Sequence, residues 1–161
     1  MHKRHSNITF TDGKTMKRTL VREHVFRILF RYDFYDREDF EAQARLYFDS
    51  YPEYNEESAD AVMTGKGITE LDRAEIISRA CDAASHIGEL DEAIDRVCDG
   101  WKLERIGKAE LSILRLAAYE IIYDGEIEAA VAINEAVELC KKYCDAKSHS
   151  FVNGVLAKLI K

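Results

Sequence analysis

The sequence predicts an all-α fold, and three observations carry that prediction. Apolar residues recur at three- and four-residue steps through most of the chain after residue 16, which is the period of one helix face. A single proline, Pro52, stands among 161 residues, so long stretches lack the residue that breaks helix interiors. No segment shows the apolar–polar alternation of a half-buried strand. An apolar content of 47% supplies a substantial interior and excludes collagenous, prion-like and disordered chains. No run of about eighteen apolar residues suits a membrane span, and with no secretion signal in view a cytoplasmic protein is expected.

Residues 1–15 show no helical period and contain Asn, Thr, Asp and Gly, which predicts a flexible N-terminal extension. Two small helix bundles of about seven helices in total follow, an N-terminal subdomain over 16–88 and a C-terminal one over 89–161. In the first helix, Leu20, Val21, Val25, Ile28, Leu29 and Tyr32 form a broad apolar stripe. Asp36 can cap a second helix carrying Phe40, Ala44 and Tyr47 or Phe48. Residues 50–69 hold Pro52, Gly65 and Gly67 and read as a long connection, partly helical around residues 56–63. Thr69 and Asp72 have the spacing of a capping box ahead of a helix over 71–86. The pattern continues through Leu90, Ala93, Ile94 and Val97 until Gly100 stops it.

The densest apolar segment is 106–123, where apolar residues cover almost the whole helix circumference. In a soluble protein such a helix is central, packed by neighbours on several sides. Asp124 and Gly125 signal a turn, 127–143 reads as the next helix, and Ser148 can cap a last helix whose Phe151, Val152, Val155, Leu156, Leu159 and Ile160 pack inward. Asn134, Asn153 and Arg115 interrupt these apolar helices. Buried, the two amides would need hydrogen-bond partners and would fix helix register, and Arg115 would need a carboxylate. Gly154, costly inside a helix, suggests a close helix–helix approach.

A net charge of −7 disfavours nucleic-acid binding on average, yet the charge is uneven. Residues 1–31 carry +6 and residues 32–161 carry −13. A basic leading strip on an acidic body points to one anion-binding face and other faces for a different partner. Catalytic signatures are missing: no nucleophile elbow, phosphate-cradling loop, dinucleotide glycine set or zinc-protease pair occurs. Carboxylate pairs such as Glu126 and Glu128 read as solvated charges. Cys81, Cys98, Cys140 and Cys144 read as reduced, buried thiols, and no second close pair completes a zinc site with Cys140 and Cys144. His24, His86 and His149 stand singly and read as surface or interface residues, and neither a cofactor nor a metal is expected.

The segments LSILRLAAYEI (111–121), VAINEAVELCKKY (131–143) and SHSFVNGVLAKL (148–159) resemble the C-terminal half of the NusB transcription antitermination family. RTLVREHVFRILFRYDF (18–34) is similar to that family's opening helix, including its Arg-Glu pair. The resemblance implies an all-helical, non-catalytic protein that binds single-stranded boxA RNA of rRNA operon leaders. It does so with NusE, a ribosomal small-subunit protein, in an RNA polymerase antitermination complex. By position, the resemblance assigns RNA contacts to Lys17, Arg18, Arg22, Lys147, Ser148 and Phe151, and NusE contacts to Phe30 and Glu110. Core packing equally accounts for Phe30 and Phe151, and a solvated helix position for Glu110. Two departures stand out: Thr19 and Leu20 replace part of the family's arginine cluster, and Lys147 stands where relatives often carry an acidic residue. A protein-interaction module that homodimerises without RNA is the alternative, and a metal enzyme using Cys140, Cys144 and His149 is a third reading.

Overall fold

Residues 111–120 are buried around the full helix circumference, and the rest of the molecule is arranged to cover them. The structure, a computed structural model, describes residues 16–50 and 68–160. The expected N-terminal extension and the expected helical turn at 56–63 lie outside the described residues. Seven α-helices are present among those described: α1 (Arg18–Phe30), α2 (Phe40–Leu46), α3 (Glu70–Ser85), α4 (Ile87–Val97), α5 (Lys108–Tyr123), α6 (Ala129–Tyr143) and α7 (Ser148–Leu159). The central helix α5 packs against α1, α4, α6 and α7, while α1 also packs on α3, and α2 on α3. One apolar core runs continuously from Val21, Val25 and Leu29 through Ile76, Leu90 and Leu114 to Leu156. The all-α, seven-helix reading therefore holds. The division anticipated after residue 88 falls just inside α4, two residues past the break between α3 and α4 at His86.

Local signals account for most boundaries. Thr69 and Asp72 form the expected capping box: the Asp72 amide donates to Thr69 Oγ1 at 3.1 Å, and the Thr69 amide donates to Asp72 Oδ2 at 2.9 Å. Gly100 adopts φ 77°, the left-handed region that suits glycine, and turns the chain after α4. The Asp124 carboxylate accepts from the Glu126 amide at 3.0 Å and closes the turn between α5 and α6. Asp36 does not cap α2. It precedes a short 3-10 turn (Arg37–Asp39), and α2 begins only at Phe40.

Four expectations about single residues are corrected. Asn134 and Asn153 are exposed, because their positions fall on the solvent side of α6 and α7, so neither fixes register from within the core. A Cβ at Gly154 would meet nothing within 4 Å, so no close helix approach requires that glycine. His24 is 1% exposed and its Nδ1 lies 2.8 Å from the Tyr47 hydroxyl, a satisfied core histidine rather than a surface one.

Charges buried in this apolar frame are paired over long sequence distances. Arg115 reaches Asp91 through two hydrogen bonds of 2.8 and 2.9 Å and Asp33 through a third of 2.9 Å, tying α5 to α4 and to the segment after α1. Adjacent residues of α1 point about 100° apart, and Arg22 and Glu23 use that divergence. Arg22 donates to both Glu120 oxygens of α5, at 2.8 Å each through Nε and Nη2. Glu23 accepts from Tyr143 and Lys142 of α6, each at 2.5 Å. The Arg-Glu pair thus clamps α1 to two neighbours.

Arg115→Ala leaves Asp91 without its counter-charge and Asp33 with only Lys108 at 3.4 Å, and should lower the unfolding free energy by about 3 kcal/mol. Thr69→Ala removes only one cap and should cost about 1 kcal/mol. Urea unfolding of both variants checks the ranking, and equal losses would contradict it.

Candidate nucleic-acid and partner interface

Three helix ends meet beside the central helix: the C-terminus of α1, the N-terminus of α5 and the N-terminus of α7. Ser148, the first residue of α7, donates its hydroxyl to Glu110 Oε1 at 2.8 Å. This corrects the expected capping role of Ser148, since the N-cap position is taken by Lys147 and the Ser148 hydroxyl is aimed at another helix. Glu110 is likewise not a freely solvated carboxylate. Its Oε2 folds back so far over Gly107, the N-cap of α5, that a Cβ there would lie 2.2 Å from it. Glycine at 107 therefore leaves room for the rotamer that receives Ser148.

The α1 end joins the same junction through a second contact. Lys108 of α5 pairs with Asp33 at 3.4 Å, in the 3-10 turn (Tyr32–Phe34) that follows α1. Around that turn the aromatic rings step outward. Phe26 is buried, Phe30 is 36% exposed and Phe34 is 60% exposed, with ring centroids 6.4 and 5.5 Å apart in succession. Phe26 also packs on Tyr143 at 4.9 Å. Phe30 is thus half core and half surface. Its inner edge is anchored and its outer edge is presented together with Phe34 and the exposed Tyr35.

Phe151 sits one turn into α7, with Lys147 and Ser148 at the preceding i−4 and i−3 positions of the same side. It is partly buried and packs against the ring of Trp101 at 5.7 Å, the planes inclined by 56°. Lys147 is exposed and makes no ion pair with another described residue.

The basic residues of α1 differ in exposure and pairing. Lys17 precedes the helix, is exposed and has no ion pair with a described residue. Arg18 is exposed but pairs with Glu75 of α3 at 3.0 Å. Arg22, expected at a phosphate, has a side chain only 10% exposed and engaged by Glu120, with Glu135 at 3.5 Å. Burial alone would lower its pKa, but the hydrogen bonds and charge of Glu120 and the charge of Glu135 outweigh that and hold it above the ordinary value. Arg22 is a positioning residue for α1. The α1 start lies about 20 Å from Phe30 at 1.5 Å per residue, so Lys17 and Arg18 stand apart from the three-helix junction.

The metal reading finds no support in the geometry. Among the described residues no three His, Cys, Asp or Glu side chains gather as a metal site. Burial pushes the Cys140 and Cys144 thiols up, and the nearby Glu110 charge acts in the same direction, which disfavours the thiolates a metal would need. No helix among the described residues is long and apolar enough to cross a membrane.

The chain matches the NusB family over residues 19–161. It is 41% identical over 145 residues to the transcription antitermination protein NusB of Lachnoclostridium phytofermentans, covering 90% of this chain and 99% of that protein. Against the protein of the same name from Agathobacter rectalis it is 41% identical over 143 residues, covering 89% and 98%. Its fold is similar to that of T. maritima NusB, with a TM-score of 0.72, 25% identity and coverage of 91% and 92%. A structure of the antitermination factors NusB and NusE in complex with dsRNA matches with a TM-score of 0.65, 28% identity and coverage of 88% and 94%. The family match over residues 19–161, the 41% identity and the near-complete coverage of these relatives agree: the chain belongs to the NusB family of transcription antitermination proteins.

Proposed function

We propose that this chain captures single-stranded boxA RNA of rRNA operon leaders jointly with a NusE-type ribosomal small-subunit protein, as a non-catalytic component of a cytoplasmic RNA polymerase antitermination complex. The observation that carries this reading is the Ser148–Glu110 hydrogen bond of 2.8 Å. It joins a residue assigned to RNA with a residue assigned to the protein partner, so the two surfaces abut at one contact. A NusE-type protein seated on Phe30, Phe34 and Glu110 borders the start of α7, where Lys147 and the Ser148 turn meet phosphate and Phe151 offers a ring to a base. The structural relative in complex with NusE and dsRNA supports a NusE-type protein and an RNA as the two partners.

Charge sets the order of affinities. With Arg22 consumed by Glu120 and Arg18 shared with Glu75, few cations remain for phosphate, so the chain alone holds RNA weakly. The acidic body, −13 over residues 32–161, attracts a basic ribosomal protein, and that protein adds its own cations to the RNA path.

An electrophoretic titration of boxA RNA with and without the NusE-type protein tests the reading. Capture by the pair should be at least about tenfold tighter than by the chain alone. No retention in either case, with a stable homodimer of the chain, would favour the interaction-module alternative. Replacing Lys17 and Arg18 together by Ala should flatten the plot of log affinity against log salt by about 1.4 units, since each single-strand phosphate contact contributes roughly 0.7. Lys147→Ala should flatten it by about one unit or less. Unchanged slopes would remove these residues from the RNA path.

A further inference from the structure

We infer that Trp101 is a stacking platform for an unpaired nucleobase, set beside Phe151 and extending the RNA path from the start of α7 toward the loop after α4. The inference rests on the proposed RNA-binding reading and adds to it a residue that neither the sequence motifs nor the basic strip singled out.

Trp101 is the one tryptophan of the chain, and it is 55% exposed. An indole this open gains little from the core. Residues 99–102 form an exposed loop between the buried Cys98 and the partly buried Leu103, and Trp101 is its one large apolar side chain. Its position is fixed from both sides. Gly100, at φ 77°, reverses the chain immediately before it, and the Trp101 amide donates to the Cys98 carbonyl at 3.3 Å. Asp99 pairs with Lys158 at 2.9 Å, which pins the loop to α7 two turns beyond Phe151. The indole then leans on Phe151 with ring centroids 5.7 Å apart.

This arrangement suits a base more than an apolar protein side chain. The two rings are inclined by 56°, so the indole contacts Phe151 obliquely rather than in a closed face-to-face stack. A stacked base needs a π-face and nearby cations for its phosphates. Lys147 precedes Phe151 by one turn and Lys102 follows Trp101; both are exposed and neither pairs with a described residue. Cations flanking an exposed indole and a partly buried phenyl ring match a single-stranded polyanion, whereas the face that presents Phe30, Phe34 and Glu110 has its own aromatic set for a protein.

The lone tryptophan supplies its own reporter. Titrating the chain with single-stranded boxA RNA should quench intrinsic fluorescence with the same midpoint as the gel shift. Trp101→Ala should weaken RNA capture, with the NusE-type protein present, by about tenfold or more, and Trp101→Tyr should restore most of it. Circular dichroism of both variants should match the parent, since the side chain is more than half exposed. If the parent retains RNA while its fluorescence does not move and Trp101→Ala binds equally well, the inference falls and the wider reading stands. If Trp101→Ala instead weakens capture of the NusE-type protein without RNA, the ring belongs to the protein interface and the inference is overturned. Failure of the parent to retain RNA under any condition overturns both.

Discussion

Burying α5 on all sides is the constraint from which the rest of the structure follows. A helix apolar around its circumference needs neighbours on several faces, and α1, α4, α6 and α7 supply them. The buried charged residues within it, Arg115 and Glu120, then need partners from other helices, because an unpaired buried charge is far more costly than a paired one. Asp91 and Asp33 answer Arg115, and Arg22 answers Glu120. These pairs set where α1 lies and where its C-terminal turn emerges. The surface proposed for RNA and partner is a consequence: once α1 and α7 are fixed against α5, their ends and the start of α5 converge at Glu110 and Ser148.

That geometry separates residues that hold the scaffold from residues offered to partners. Arg22 and Glu23 belong to the first group, and their neighbours along α1 show why adjacent positions differ. Arg22 turns to α5 and Glu23 to α6, while Lys17 and Phe30 at the two ends of the helix reach solvent. Residues of the Arg-Glu pair therefore orient α1 against its neighbours. The aromatic steps from Phe26 to Phe34 make the same transition within a few residues, from anchored ring to exposed ring.

The fold was legible in the sequence wherever the deciding physics is local. The capping box of Thr69 and Asp72, the glycine stop at residue 100 and the apolar circumference of α5 are short-range patterns, and each appears in the structure where its spacing puts it. The need of Arg115 for a carboxylate was also readable, because burial of a charge imposes it. The candidate site was less legible. The partner of Arg22 is 98 residues away, so composition alone makes Arg22 look like part of a basic strip. Ser148 looks like a cap until Glu110 is seen opposite its hydroxyl. Asn134 and Asn153 sit in apolar strings, but the helix phase puts them outside, a matter of a few tens of degrees that the string does not reveal. Trp101 carried one usable signal, a large aromatic directly after a chain-reversing glycine.

The central claim is that RNA and a protein partner occupy adjoining surfaces on the ends of α1, α5 and α7. Hydrogen–deuterium exchange of the chain, recorded with the NusE-type protein alone, with boxA RNA alone and with both, addresses it most directly. The partner is predicted to slow exchange around residues 29–34 and 108–111, RNA around 147–152, and the two together to deepen protection where those segments meet. Protection by the partner confined to the outer faces of α3 and α4, with the three helix ends unaffected, would contradict the account.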